Sequence, residues 1–262
     1  MSTGVGEIWQ SRYFWLSLAR QDLRDRYRRS VLGAAWSLIR PLAMTAIFCA
    51  ALRGIFGRED VWSYAAYLMT GLVCWDYLAN SARQGCQSLL RAERYVRQHP
   101  LPMAVYPLRT VLGETVQFLM TLVVVVLLCG YATHNLRVTA LVSLVPALVL
   151  LFALAWSVAV LTSFLHVYFR DTEHLCDVFL QVFFYLTPII YEVQILGAGR
   201  LGWLVRHCNP LLPFLDLMRT PLLDGHPPGP QTFAAAFAVV CAVGGLAALA
   251  CNRLQRRLVF HL

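Results

Sequence analysis

The densest run of chemistry-bearing side chains lies between residues 83 and 99. Arg83, Arg91, Arg94 and Arg97 accompany Glu93, Gln98 and His99 there, ahead of Pro100 and Pro102. One reading is a short charged helix between two apolar segments, stopped by prolines. A membrane protein that takes force from a cytosolic motor needs such an element, and Arg91, Glu93, Arg94 and Arg97 would be its contacts. The other reading, which composition alone favours, is a solvated loop carrying the Arg excess of a cytoplasmic segment.

Arg40 is the second candidate. A charge inside an apolar stretch is costly and marks a functional position by default. Pro41 beside it supplies a kink or a helix start. The competing reading is an Arg that reaches back to the interface, with the apolar span beginning at Pro41. Asp76, Glu114 and Asp177 lie near the ends of apolar runs, where interface or ion-pair roles are expected. Aromatic side chains are the third candidate. Tyr64, Tyr67, Trp75 and Phe184 fall in or near apolar runs, and Tyr64 and Tyr67 share one helical face. A path lined with rings suits sugars, whose apolar faces stack on them. A helix-packing stripe or an interfacial belt explains the same residues.

Catalytic chemistry is not expected. The chain has no HExxH, no GxSxG and no His/Cys cluster with metal-ligand spacing, so neither a catalytic residue nor a metal site is assigned. His166 and His174 flank Arg170-Asp171 near a span end and read as interface residues. Seven of the eight Cys lie in or beside apolar runs or on the expected cytoplasmic side; Cys208 alone falls in an expected external segment. That is no disulfide framework.

Elements that position these residues follow from composition. The chain has 262 residues, 58% hydrophobic and 14% charged, against roughly 25% charged in a soluble domain. Its charges cluster between runs of bilayer length. The expected fold is all-α and membrane-embedded. Six spans are read at 31–56, 61–80, 103–130, 138–168, 175–191 and 231–251, the fourth long enough to need tilt or a kink near Pro146. Residues 1–30 form a separate amphipathic helix, with 31–262 as the six-span domain. Along 7–29, Trp9, Tyr13, Leu16, Ala19, Leu23 and Tyr27 make one stripe and Arg20, Arg24 and Arg28 another, as in a helix lying at the lipid head groups, with an ordinary cytosolic helix packed on a partner as the other reading. The segment 188–230 holds seven of the twelve Pro and five Gly, which suits two short helices dipping into the outer interface.

All 22 basic residues are Arg. Without a Lys the chain cannot form an ordinary phosphate-binding loop, so any ATPase must be another polypeptide. The net charge of +8 flanks apolar runs and forms no single basic face, which argues against nucleic acid. Fourteen Arg fall in segments assigned inside and six in segments assigned outside. That asymmetry places both termini and residues 81–100 in the cytoplasm and 192–230 outside.

Three groups of residues, in order, carry a resemblance. Arg26-Tyr27, Ser30, Leu32-Gly33, Trp36 and Pro41 come first. Phe169-Arg170-Asp171 and then Phe184-Tyr185-Leu186-Thr187-Pro188-Ile189-Ile190-Tyr191 follow, and Asn209-Pro210 precedes the last span. Together they resemble the ABC transporter permeases that export O-antigen, teichoic acid, galactan and capsule polysaccharides. Arg40 departs from that pattern, in which a neutral Gln or an acid often precedes the Pro.

The resemblance implies a homodimer in the bacterial inner (plasma) membrane with two copies of a cytosolic ABC ATPase, which would hold ATP and Mg. It makes 88–99 a coupling helix, 7–29 an interface helix and parts of 192–224 external gate helices. The cargo would be a lipid-linked glycan whose anionic diphosphate head is attracted by interface Arg. Rival readings are a permease for a drug or simple lipid and a membrane-embedded transferase acting on polyprenyl carriers.

Overall fold

The computed structural model describes residues 36–52, 61–92, 102–193 and 199–258, with Tyr13, Trp15, Ser17 and Arg20 as helical positions upstream. The described residues form helices and their connections. In chain order the helices are α1 (Trp36–Leu52), α2 (Val61–Arg91), α3 (Val105–Thr133), α4 (Val138–Tyr168), α5 (Thr172–Leu186), α6 (Arg200–Cys208), α7 (Leu212–Arg219) and α8 (Pro230–Leu258). A π-helical turn, Thr220–Asp224, continues α7.

Three helices, Val105–Thr133, Val138–Tyr168 and the Pro230–Arg253 part of α8, are long and apolar enough to cross a membrane. Their outward stripes support that reading. Val138, Val142, Val145 and Val149 of α4 are each more than 60% exposed, and Val123, Leu127 and Tyr131 continue the pattern on α3. Water would penalise such stripes, whereas lipid tails are as apolar as the side chains themselves.

The remaining long helix, α2, is different in kind. It carries Asp76, Asn80, Arg83 and Gln87, yet it is buried along most of its length from Tyr64 to Leu89. It packs on α3 and α4 and also meets α1 and α5, while α8 lies against α4. A helix surrounded by protein can keep polar groups that lipid would reject, provided its neighbours answer them. Close approach is set by Gly85, where an added Cβ would lie 2.7 Å from the Cα of Ala159 on α4. Backbone cannot yield there as a side-chain tip can. Gly85→Ala is expected to cost about 1–3 kcal/mol of stability and to lower the unfolding midpoint of the purified protein. An unchanged midpoint would mean that α2 and α4 are loosely packed.

Sequence expectations shift in two places. First, α2 does not stop at residue 80 but runs to Arg91, because Ala82 and Gly85 pack on α4 while Arg83 and Gln87 are answered by carboxylates of α5. Ser88–Arg91, the start of the expected 88–99 helix, is therefore the last turn of α2, and 93–101 lies outside the described residues. Second, the expected 175–191 span ends as a helix at Leu186. Thr187 is extended, with φ −90° and ψ 134°, because the ring of Pro188 forbids helical geometry before it. Pro146 and Pro41 instead lie within continuous helices. The short helices expected in 188–230 are α6 and α7.

Candidate functional site

Three groups of polar and aromatic residues follow the line between α2 and α5, which run antiparallel. At the centre, a cavity of about 610 Å³ is lined by Arg40, Trp75, Asp76, Gln181, Phe184 and Tyr185, among others. The Trp75 ring meets Phe184 edge-on at 5.6 Å between centroids and Phe183 at 6.2 Å. A smaller neighbouring cavity of about 100 Å³ places Arg40 beside Asp76, Asn80 and Glu114. Arg40 thus faces carboxylate-bearing walls on α2 and α3, and it is exposed at the same time.

At one end of this line, α2 is fastened to the start of α5. Arg83 Nε donates to Asp177 Oδ1 at 2.7 Å, and Gln87 Nε2 donates to the Glu173 carboxylate. The buried His166 lies 4.0 Å from the same carboxylate. Arg91, exposed at the tip of α2, donates to Gln84 Oε1 at 2.9 Å.

At the other end, the irregular chain 187–191 is held by side chains from several elements. Tyr64 donates to the carbonyl of Ile190 at 3.1 Å, and Tyr67 donates to Tyr191 at 2.9 Å. Asn209 Nδ2 donates to Thr187 Oγ1 at 3.1 Å, while its Oδ1 accepts the Leu211 N–H at 2.9 Å, turning the chain into α7. Arg219 donates to the carbonyls of Pro188 and Ile189 at 2.8 and 3.0 Å. Buried carbonyls released where a helix breaks need such donors.

An adjoining cavity of about 690 Å³ is lined by Tyr67, Asn135, Glu192, Asp216, Arg219 and Asp224, among others. Burial pushes the Asp216 carboxyl up to about 6, with Arg219 pulling it down and Asp224 pushing it up. A carboxyl raised on folding stabilises the fold below its unfolded pKa, and that contribution is lost as pH rises through the folded value. The thermal stability of wild type relative to Asp216→Asn is therefore expected to decline as pH rises from 3.8 to about 6. Parallel pH profiles for the two proteins would remove Asp216 from that balance.

The residues singled out in the sequence divide accordingly. Arg40, Trp75 and Phe184 share the central cavity. Tyr64 and Tyr67 sit apart from it, buried, with their hydroxyls committed to the 187–191 backbone and the Tyr67 ring covered by the Arg219 guanidinium at 3.7 Å. Arg91 is at the α2 tip, and Arg20 is exposed. Glu93, Arg94, Arg97, Arg24 and Arg28 lie outside the described residues. Arg219 was counted only as an external charge, and Arg83 and Asp177, though each named, the latter for an interface or ion-pair role, were not paired with one another. A signal for Arg219 exists in its apolar setting, Leu217-Met218-Arg219-Thr220-Pro221-Leu222. Among the described residues, no three His, Cys, Asp or Glu are grouped to hold a metal ion.

Residues 13–223 match the ABC-2 type transporter family. The chain is 29% identical over 210 residues to the O-antigen export system permease protein RfbA of Klebsiella pneumoniae, covering 79% of each chain. It is 24% identical over 212 residues to RfbA of Myxococcus xanthus, covering 80% of each. It is 20% identical over 220 residues to the polysialic acid transport protein KpsM of Escherichia coli, covering 80% of this chain and 81% of that one. With most of its length matched, from the upstream helical positions to the π-helical turn after α7, the chain belongs to the ABC-2 type transporter family.

Proposed function

We propose that this chain is the transmembrane subunit of an ATP-driven ABC exporter that moves a lipid-linked polysaccharide from the cytoplasmic to the outer side of the bacterial inner membrane. The observation that carries this reading is the family match over 13–223, with relatives named for O-antigen export and polysialic acid transport. The relatives match over about four fifths of their own length.

In this reading α1, α2, α3, α4, α5 and α8 are the six spans, with both termini inside. Two copies of the chain pair, and two cytosolic ATPases bind ATP and Mg beneath them. Residues 88–99, with Arg91, Glu93, Arg94 and Arg97, take the ATPase stroke. The segment bearing Arg20, Arg24 and Arg28 lies at the cytoplasmic head groups, and α6 and α7 close the outer side. Arg40, exposed beside the central cavity, attracts the diphosphate head of the carrier lipid. Trp75 and Phe184 give sugar rings a weak, repeatable surface. The arrangement requires no covalent step in this chain.

Deleting the gene is the first test of function. Loss of the exporter is expected to leave a lipid-linked glycan on the cytoplasmic face, and the tagged chain is expected to bring down an ABC ATPase. Normal surface glycan in the deletion strain, with no ATPase in the eluate, would overturn the proposal. Topology is tested separately with Arg94→Cys in a chain cleared of its exposed native Cys208 and Cys241. That cysteine is expected to resist an impermeant thiol reagent in sealed cells. Labelling from outside would invert the orientation.

A further inference from the structure

Arg219 ends an eight-residue helix and is only 7% exposed. A buried guanidinium is tolerated when its N–H groups and its charge are answered. The Asp216 carboxyl, one helical turn earlier and lining the same cavity, answers part of the charge. Nη1 donates to the carbonyl of Pro188 and Nη2 to that of Ile189. The flat cation lies over the Tyr67 ring, 3.7 Å from its centroid.

The seat is shaped for this cation. A Cβ at Gly71 would stand 2.6 Å from Arg219 Nη2 and 3.3 Å from Ile189 Cγ2. Gly71 and Tyr67, one helical turn apart on α2, therefore form the floor and wall of the guanidinium site. The fork geometry of Arg suits two successive carbonyls, which a compact ammonium cannot bridge while also stacking on a ring.

Three elements meet at this point: α2, the break after α5, and α7. The first two are also joined at their far ends by Arg83–Asp177 and Gln87–Glu173. From Tyr64 to Gln87 α2 spans roughly 35 Å, and its partner is pinned at both ends of that length. A displacement delivered near residue 87 therefore has a bonded route along α2 and α5 to the carbonyls of 188–191, which are what Arg219 holds.

We propose that Arg219, seated on Gly71 and Tyr67, is a positioning residue of the transport cycle: it latches α7 to the α5 break and keeps the outer end of the path shut until α2 and α5 move together. This rests on the exporter reading. Arg219 binds the gate backbone, not the cargo. Its loss should therefore loosen closure before it affects recognition of the glycan.

The test reconstitutes the chain with its ATPase in liposomes and measures two things: ATP-independent efflux of trapped sucrose, and ATP-driven movement of lipid-linked glycan. The variants are Arg219→Gln, Arg219→Lys, Gly71→Ala and Tyr67→Phe. Gly71→Ala meets the movable tip of Arg219 at 2.6 Å, with the Ile189 side chain at 3.3 Å and its carbonyl at an ordinary contact distance of 3.4 Å, so it displaces the guanidinium while keeping the helix.

Arg219→Gln is expected to raise sucrose efflux at least about fivefold, the shift in open population when closure loses roughly 1 kcal/mol. Gly71→Ala and Arg219→Lys should fall between it and wild type. Tyr67→Phe, which keeps the ring, should leak least. Assembled Arg219→Gln and Gly71→Ala complexes as tight as wild type would overturn the latch. If Arg219→Gln does not assemble, a tight Gly71→Ala complex overturns it alone. A wild-type complex that moves no glycan, alongside leaky variants, would overturn the exporter reading and leave the latch standing.

Discussion

Replacing Trp75 and Phe184 together by Leu is expected to slow glycan export about 30-fold, with each single change costing about fivefold. The figures follow from stacking worth on the order of 1 kcal/mol per ring. The rings meet edge-on at 5.6 Å at the wall of the central cavity. Trp75 is buried and Phe184 half-buried, so Trp75 holds the surface and Phe184 presents it. Leu keeps apolar bulk and removes the flat face, which separates stacking on a sugar from simple packing. The Trp75 change also carries a packing cost of about 1–3 kcal/mol, so export must be normalised to the amount of assembled complex in the membrane. ATP turnover should persist in the double variant, because neither ring lies near the α2 tip. Wild-type export per assembled complex would place the glycan elsewhere.

Changing both Glu93 and Arg94 to Ala is expected to cut export tenfold or more while the ATPase still binds and turns over. Both residues follow closely in sequence on Arg91, the last residue of α2, and the buried Ala92. Complex abundance and ATP turnover are measured alongside, so that lost export with both retained reads as lost transmission. The structure supplies a reason for the size of the effect. The same helix that ends at Arg91 is tied to α5 by Arg83 and Gln87 and reaches the 187–191 backbone through Tyr64 and Tyr67. Force lost at the tip is lost to every element along α2. Normal export by the double variant, at normal complex abundance, would take 88–99 out of the coupling role.

Much of this arrangement can be read from residue order, and the limits of that reading have physical causes. Helix positions followed from apolar runs of bilayer length, as for Val138–Tyr168. The length of α2 did not. Ser81, Arg83, Gln84 and Gln87 look like the start of a cytoplasmic loop, and only the acidic residues Asp177 and Glu173 on α5 show what holds Arg83 and Gln87.

Tyr64 and Tyr67 were legible as one face of one helix. What covers that face is a chain more than 120 residues away, and periodicity carries no information about it. Similarly, Thr187-Pro188 and Asn209-Pro210 stood out as separate motifs, and their meeting through the Asn209 amide is a tertiary fact. Arg219 was hidden because counting charge for topology treats every external Arg alike, whether it faces water or lies buried on a ring.

The most direct measurement of the central claim is glycan movement in sealed proteoliposomes containing this chain and its ATPase. Lipid-linked polysaccharide is offered on the face that carries the ATPase, and its appearance on the opposite face is followed by protection from an added glycosidase. Protection is expected to need ATP and Mg, to grow with time and to be abolished by omitting either protein. Equal protection without ATP, or none with both proteins assembled and hydrolysing ATP, would contradict it.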